Sequence, residues 1–187
     1  MPPKLVIVNG PPAVGKSFIA KAIAAEAKCV LISRDAIKEA MFDELGFHDR
    51  ASSVEYGRAA SATLLRIVRA SSLVGAKLIV EGNFRMEWSA RFRAMTELYA
   101  TEIFEVNCRC DGVELISRFI ERSKGKDRHP GHNDSGEALI ELRKELLVGS
   151  YATLDLGQTV YIDTSKSLDT FNNLLPYIAP VVEWISQ

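Results

Sequence analysis

The chain has 187 residues, 47% of them hydrophobic and 25% charged, with a net charge of −1. That is the size and balance of one globular α/β domain with a substantial core, and we read residues 1–187 as a single domain. No apolar run reaches the roughly 20 residues of a membrane span, no signal-peptide pattern precedes the first strand, and Cys29, Cys108 and Cys110 lack the spacing of a disulfide framework, so the expectation is a cytoplasmic protein with reduced thiols and no membrane partner.

Leu5-Val6-Ile7-Val8 reads as a buried parallel strand over residues 4–8. Gly10-Pro11-Pro12-Ala13-Val14-Gly15-Lys16-Ser17 follows and matches the phosphate-binding pattern G-x-x-x-x-G-K-[ST]. Phe18 and the Ala-rich segment after it continue as a helix over 16–27. Strand, loop and helix are the context this motif requires. Gly10 and Gly15 let backbone N–H groups turn inward on a phosphate chain, and the helix adds its positive end. Lys16 is placed to reach β- and γ-phosphates, and the Ser17 hydroxyl to ligate Mg²⁺. The expectation is a protein that binds MgATP along Gly10–Phe18.

Strand and helix patterns then alternate. Cys29–Ile32 is a strand and Asp35–Phe42 a helix; 46–52 is polar loop, and a long helix covers 53–73, stopped by Gly75. Lys77–Val80 is the third strand, Met86–Tyr99 a helix, and Ile103–Val106 the fourth strand. A helix runs from Asp111 to Ser123, a loop over 125–135, and a helix over 137–147. Val160–Ile162 is the fifth strand, and a last helix runs from Leu168 to Ile185, bent at Pro176 and Pro180. This order predicts a three-layer α/β fold with a five-stranded parallel sheet. Ligands in such sheets collect beyond the carboxyl ends of the strands, so the polar residues just after each strand carry the functional reading.

After the second strand stands Ser33-Arg34-Asp35. Asp35 has two readings: it accepts the proton of an attacking hydroxyl or holds metal-bound water, or it caps its own helix. After the third strand, Glu81-Gly82-Asn83-Phe84-Arg85 places Glu81 toward the phosphates, as metal or hydroxyl partner, and Arg85 where it could grip an anionic acceptor. Residues 1–132 hold 20 Lys/Arg against 16 Asp/Glu, and 133–187 hold 3 against 8. Much of the positive excess is Arg118, Arg122, Lys124, Lys126 and Arg128, a cluster that suits polyphosphate and is too short for a nucleic-acid track. Cys108, Cys110, His129 and His132 are read as free thiols and loop histidines, not a metal site.

These motifs together resemble the kinase branch of the phosphate-loop proteins. The nearest pattern is the polynucleotide 5′-kinase-like group, which is related to zeta-toxin and chloramphenicol phosphotransferase enzymes; the chain looks like an AAA-type ATP-binding kinase-like protein over roughly residues 4–165. The resemblance implies a nucleoside-monophosphate-kinase-like fold with a helical lid at about 111–149. It implies Asp35 as general base, Lys38 as a substrate-binding or charge-stabilising cation where the group has arginine, and Glu81-x-Asn83 at the acceptor side. It places Arg118, Arg122 and Arg128 on a closing lid, with Arg122 and Arg128 acting on the transferring phosphoryl group, and puts Thr164 and Ser165 beside the adenine. The expected metal partners are Ser17, Asp35 and Glu81; the expected acceptor contacts are Asp35, Lys38, Glu81, Asn83 and Arg85.

The activity expected is ATP-dependent transfer of the γ-phosphoryl group to a hydroxyl of a small molecule or of a nucleic-acid 5′ end, with a helix pair over 36–73 covering the acceptor. A GTPase is excluded by the missing Asn-Lys-x-Asp, and Asp43-Glu44-Leu45-Gly46 follows a helix, not a strand. A non-catalytic or regulatory ATP-binding module is the alternative. Acceptor identity, oligomeric state and the choice between Asp35 and Glu81 as base are open at this point.

Overall fold

In the computed structural model, which describes residues 2–125, 128–134, 136–166 and 171–187, five strands form one all-parallel sheet in the order β2-β3-β1-β4-β5. The strands are β1 (Lys4–Asn9), β2 (Val30–Ser33), β3 (Lys77–Glu81), β4 (Glu102–Arg109) and β5 (Gln158–Asp163). Seven α-helices surround them among the described residues: α1 (Lys16–Ala27), α2 (Arg34–Leu45), α3 (Arg50–Leu73), α4 (Ser89–Tyr99), α5 (Gly112–Lys124), α6 (Gly136–Leu147) and α7 (Phe171–Ser186). β1 is buried along its whole length, as a central strand covered on both faces must be.

The alternation of side chains along β1 divides the core in two. Val6 and Val8 face Ile19 and Ile23 of α1, Leu115 of α5, and Leu174, Ile178 and Val181 of α7. Leu5 and Ile7 face Leu64 and Val68 of α3, Phe84, and Phe92 of α4. The result is the three-layer sandwich expected from the alternating pattern. A third, smaller cluster joins α5 to α6 through Phe119, Ala138 and Leu142.

Several boundaries differ from the sequence expectation for local reasons. α3 starts at Arg50 because Asp49 accepts from Ser52 N at 2.8 Å while the Ser52 hydroxyl takes the Asp49 N–H, a reciprocal cap that uses serine in place of the usual Glu. Residues 86–88 form a separate 3₁₀ turn ahead of α4. β4 extends to Arg109 because Asn107, Cys108 and Arg109 pair with Tyr161, Ile162 and Asp163, so polar residues continue a strand whose apolar run has ended. α7 is continuous through Pro176 and Pro180; the expected start of that helix at Leu168, like Lys126 of the basic cluster, lies outside the described residues.

Candidate active site

Gly10 opens the loop after β1 with a φ of 143°, and a Cβ there would stand 2.5 Å from the Cys108 carbonyl, so only glycine fits between the two strands. Gly15 turns the chain into α1 with a φ of 93°. Lys16 is buried, and its ammonium donates to the Pro11 carbonyl at 2.7 Å, so it is folded back over the loop. Burial lowers its pKa, against the opposing pull of Glu81 and other anions nearby. Ala13, Gly15, Lys16, Ser17 and Phe18 line a cavity of about 420 Å³ beside the loop, with Glu81 at the end of β3 on its wall. The Ser17 hydroxyl is exposed and makes no hydrogen bond among the described residues.

A larger cavity of about 690 Å³ lies between α2, α3, the segment after β3, and α5–α6. Pro12, Asp35, Lys38, Asn83, Arg85, Arg122 and Arg128 are on its wall. Asp35, Asn83, Arg122 and Arg128 line both cavities. Asp35 and Asn83, expected after strands two and three, and Arg122 and Arg128, expected on the lid, are therefore brought to one seam between two compartments.

The seam is dense in charge. Arg128 Nη1 stands 3.2 Å from Asp35 and 3.7 Å from Glu39, and its Nε donates to Asp134 at 2.9 Å. Arg122 reaches the same Asp134 oxygen at 3.4 Å. Burial works against the charge on Asp35, but Arg128, His132, Arg34 and Lys16 outweigh it and hold the carboxyl well below the usual range. The helix-cap reading of Asp35 fails: the N-cap of α2 is Ser33, whose hydroxyl accepts from Ala36 N at 3.4 Å. The same hydroxyl donates to Glu81 at 2.8 Å, orienting that carboxylate in the smaller cavity.

The described part of the loop after α5 is anchored by its two histidines. His129 stacks on Phe42 with ring centroids 5.1 Å apart, and His132 is buried edge-on to the same ring at 5.5 Å. His129 Nδ1 accepts from Gly131 N, which leaves the Nε2 proton to be donated to Asp43 at 3.1 Å. His132 Nε2 pairs with Glu39 at 2.7 Å, and burial lowers its pKa to about 4. Both histidines thus fasten the loop to α2.

Other expected residues have different surroundings. Arg118 pairs with Glu114 at 2.7 Å and donates to the Thr164 carbonyl at 2.7 Å. Thr164 in turn donates to the Val14 carbonyl at 2.8 Å, tying α5 and the β5 loop to the phosphate loop. The Ser165 hydroxyl accepts from Asp111 N at 2.8 Å. Arg118, Thr164 and Ser165 line neither cavity, and neither do Gly10, Pro11 and Val14. Arg85 is neutralised by Glu145 and Glu141 of α6. Cys108 is buried, which pushes its thiol up to about 12. The sequence reading missed Ser33, Arg34, Glu39, Ser53 and Asp134. The small residues Ser53, Gly57 and Ser61, spaced one helical turn apart, were the available signal for where α2 side chains cross α3.

Comparison with known proteins gives this arrangement a family. The AAA domain family matches residues 5–140. A candidate kinase from Chloroflexus aurantiacus J-10-fl is 30% identical, with a TM-score of 0.83 over 99% of this chain and 97% of that one. A gluconokinase from Sinorhizobium meliloti 1021 shares the fold at 15% identity and a TM-score of 0.57, over 98% of this chain and 95% of that one. A tunicamycin resistance protein from Deinococcus radiodurans does so at 17% and 0.55, over 97% and 96%. No curated protein matches the chain. A phosphate loop at the carboxyl end of β1, a parallel sheet in this strand order and a family match over most of the chain place the protein in the AAA domain family, with a phosphate-loop kinase-like fold.

Proposed function

We propose that this protein is an ATP-dependent kinase that transfers the γ-phosphoryl group to a hydroxyl of a small molecule. The observation that carries this reading is the pair of cavities with Asp35, Asn83, Arg122 and Arg128 on both walls. A binding module needs one compartment; group transfer needs two that meet at charged groups. ATP would lie with its phosphates in the smaller cavity, against the loop N–H groups and Lys16. The acceptor would occupy the larger one, whose volume suits a small ligand.

Asp35 is ionised and on the seam, so it would accept a hydrogen bond from the acceptor hydroxyl and align its oxygen with the γ-phosphorus. Its low proton affinity suits orientation more than early proton abstraction, which a loose phosphoryl-transfer transition state does not require. Glu81 lines only the smaller cavity and is fixed by Ser33, which favours a metal-side role for Glu81 and a hydroxyl-side role for Asp35. The donor set fits Mg²⁺: the free Ser17 hydroxyl and the Glu81 carboxylate, with Asp35 nearby, would share it with phosphate oxygens and water. Bound there, Mg²⁺ would neutralise charge on the β- and γ-phosphates. Arg122 and Arg128 would exchange carboxylate partners for phosphoryl oxygens as charge moves to the leaving group. Asn83 would position either ligand at the seam. Arg118, Thr164 and Ser165 would bear on the nucleotide indirectly, by bracing the loop.

The test is ADP release from MgATP measured across a library of hydroxylated metabolites, with short 5′-hydroxyl oligonucleotides included. Release stimulated by a small acceptor supports the kinase. Tight MgATP binding with no stimulation by any acceptor supports the regulatory module instead.

A further inference from the structure

Eight Arg and Lys side chains line the larger cavity against five Asp and Glu. Six of them fall into two groups, and the exposed Arg91 lies over the Trp88 ring, 4.9 Å from its centroid. Arg50, Arg85, Arg122 and Arg128 each have a carboxylate partner within salt-bridge distance that leaves little charge over. Arg34 and Lys38, one turn apart on α2, are instead held mainly by neutral groups on α3. Lys38 is buried; its ammonium donates to the Ser53 hydroxyl at 2.8 Å, and no carboxylate among the described residues lies within salt-bridge distance. Arg34 Nε donates to the Ser61 hydroxyl at 2.7 Å and Nη2 to the Gly57 carbonyl at 3.0 Å; its nearest carboxylate is Asp35, at 3.7 Å. A Cβ on Gly57 would stand 2.9 Å from Arg34 Nη2, so a larger residue there would push the guanidinium aside. Arg58, exposed on the rim, has no ion pair among the described residues.

Hydrogen bonds to hydroxyls and a carbonyl satisfy donors but do not balance charge. A buried cation left in that state is costly unless an anion joins it. The carboxylates that could have served are elsewhere. Glu141 and Glu145 of α6 are engaged by Arg50 of α3 and by Arg85. Those four residues line the larger cavity and not the smaller one. They tie α6 to α3 and to the segment after β3, so a chain passing through that wall would have to break them.

We propose that the acceptor is a small alcohol that also carries an oxyanion, a carboxylate or a phosphate monoester, and that the oxyanion sits against Lys38 and Arg34 with Arg58 at the rim while the hydroxyl points to Asp35. This rests on the reading of the larger cavity as the acceptor site, and it excludes a nucleic-acid end as the acceptor. Arg85, whose charge is already met, is not the anion's partner.

The experiment uses the full chain saturated with Mg²⁺ and a non-hydrolysable ATP analogue, so that the phosphate loop is filled. Sorbitol, gluconate and sorbitol 6-phosphate are titrated calorimetrically, and the same compounds and a 5′-hydroxyl oligonucleotide are assayed for transfer from γ-labelled ATP. The expected result is that at least one anion binds tenfold or more tighter than sorbitol, and that the advantage falls at least threefold in Lys38→Gln and in Arg58→Ala. Arg58 is exposed, so its variant reports even where Lys38→Gln misfolds. The two anions separate carboxylate from phosphate. Equal affinity for sorbitol and both anions, an advantage that survives both variants, or transfer to the oligonucleotide overturns the inference. Anion-selective binding with no transfer would keep the inference and remove the kinase reading; transfer to sorbitol alone would do the reverse.

Discussion

Arg128 Nη1 lies 3.2 Å from Asp35 Oδ2, joining the loop after α5 to the first turn of α2 across 93 positions of sequence. The contact sits on the wall shared by both cavities. It holds an arginine and a carboxylate side by side where a phosphoryl group and a hydroxyl would meet. In the proposed reaction the two charges hold each other in place until ligands arrive, and Arg128 then exchanges a carboxylate partner for phosphoryl oxygens.

Asp35→Asn separates chemistry from stability. Ser33 caps α2, so the helix keeps its cap in the variant. With the orienting charge gone, kcat is expected to fall ~10²–10⁴-fold, while the MgATP dissociation constant changes little. Steady-state kinetics together with a thermal melt check this. A large loss of Tm with an unchanged rate would make the residue structural.

Arg122→Ala and Arg128→Ala are expected to lower kcat by ~10–10³-fold and to raise the KM for ATP by less, because charge on the transferring group grows toward the transition state. Arg128 carries the larger effect, since it contacts Asp35 and Glu39 as well as Asp134. A raised KM with an unchanged kcat in both variants would place these arginines in ground-state binding.

Lys16→Met removes a buried ammonium that donates to the Pro11 carbonyl. It is expected to abolish measurable phosphoryl transfer while the circular dichroism spectrum stays that of the wild type. Wild-type turnover in the folded variant would undo the assignment of the smaller cavity to the nucleotide.

The sheet and the phosphate loop were legible because local patterns determine them: an apolar run, glycines at fixed offsets, a helix start. The start of α3 was misjudged because Asp49 and Ser52 form their cap with a serine where the usual signature has Glu. The end of β4 was misjudged because Asn107 and Arg109 are polar yet paired with β5. Asp35, Asn83, Arg122 and Arg128 could each be named from position along the chain, but their meeting at one seam comes from packing between distant elements. Arg85 shows the reverse: its position suggested a free cation, and Glu141 and Glu145, some 60 residues away in sequence, neutralise it.

Lys38→Met should stabilise the fold while weakening acceptor binding. Burial lowers the folded Lys38 pKa to about 8 from 10.5. Below pH 8 both folded and unfolded chains carry the charge, and the native state bears its full burial cost. Between pH 8 and 10.5 the folded ammonium has released its proton while the unfolded one retains it, so that cost is relieved as pH rises. The variant is expected to gain on the order of 1–3 kcal/mol at pH 7, a rise of several degrees in Tm, and to lose that advantage toward pH 10.5. Ser53 keeps a partner, since its hydroxyl donates to the His132 carbonyl at 3.1 Å. Melts from pH 7 to 10.5 check both the sign and the window; a variant less stable than wild type at pH 7 would show that the ammonium is already balanced.

In the proposed reaction a γ-phosphoryl group crosses the seam from the smaller cavity to the larger one. The direct measurement compares ATP labelled at the γ-phosphorus with ATP labelled at the α-phosphorus, each incubated with Mg²⁺, the protein and the acceptor library. The expected result is that γ label appears in a phosphorylated small molecule, that α label does not, and that Asp35→Asn binds MgATP normally but forms labelled product ~10²–10⁴-fold more slowly. Release of γ label only as inorganic phosphate, or no release under any acceptor, would contradict it.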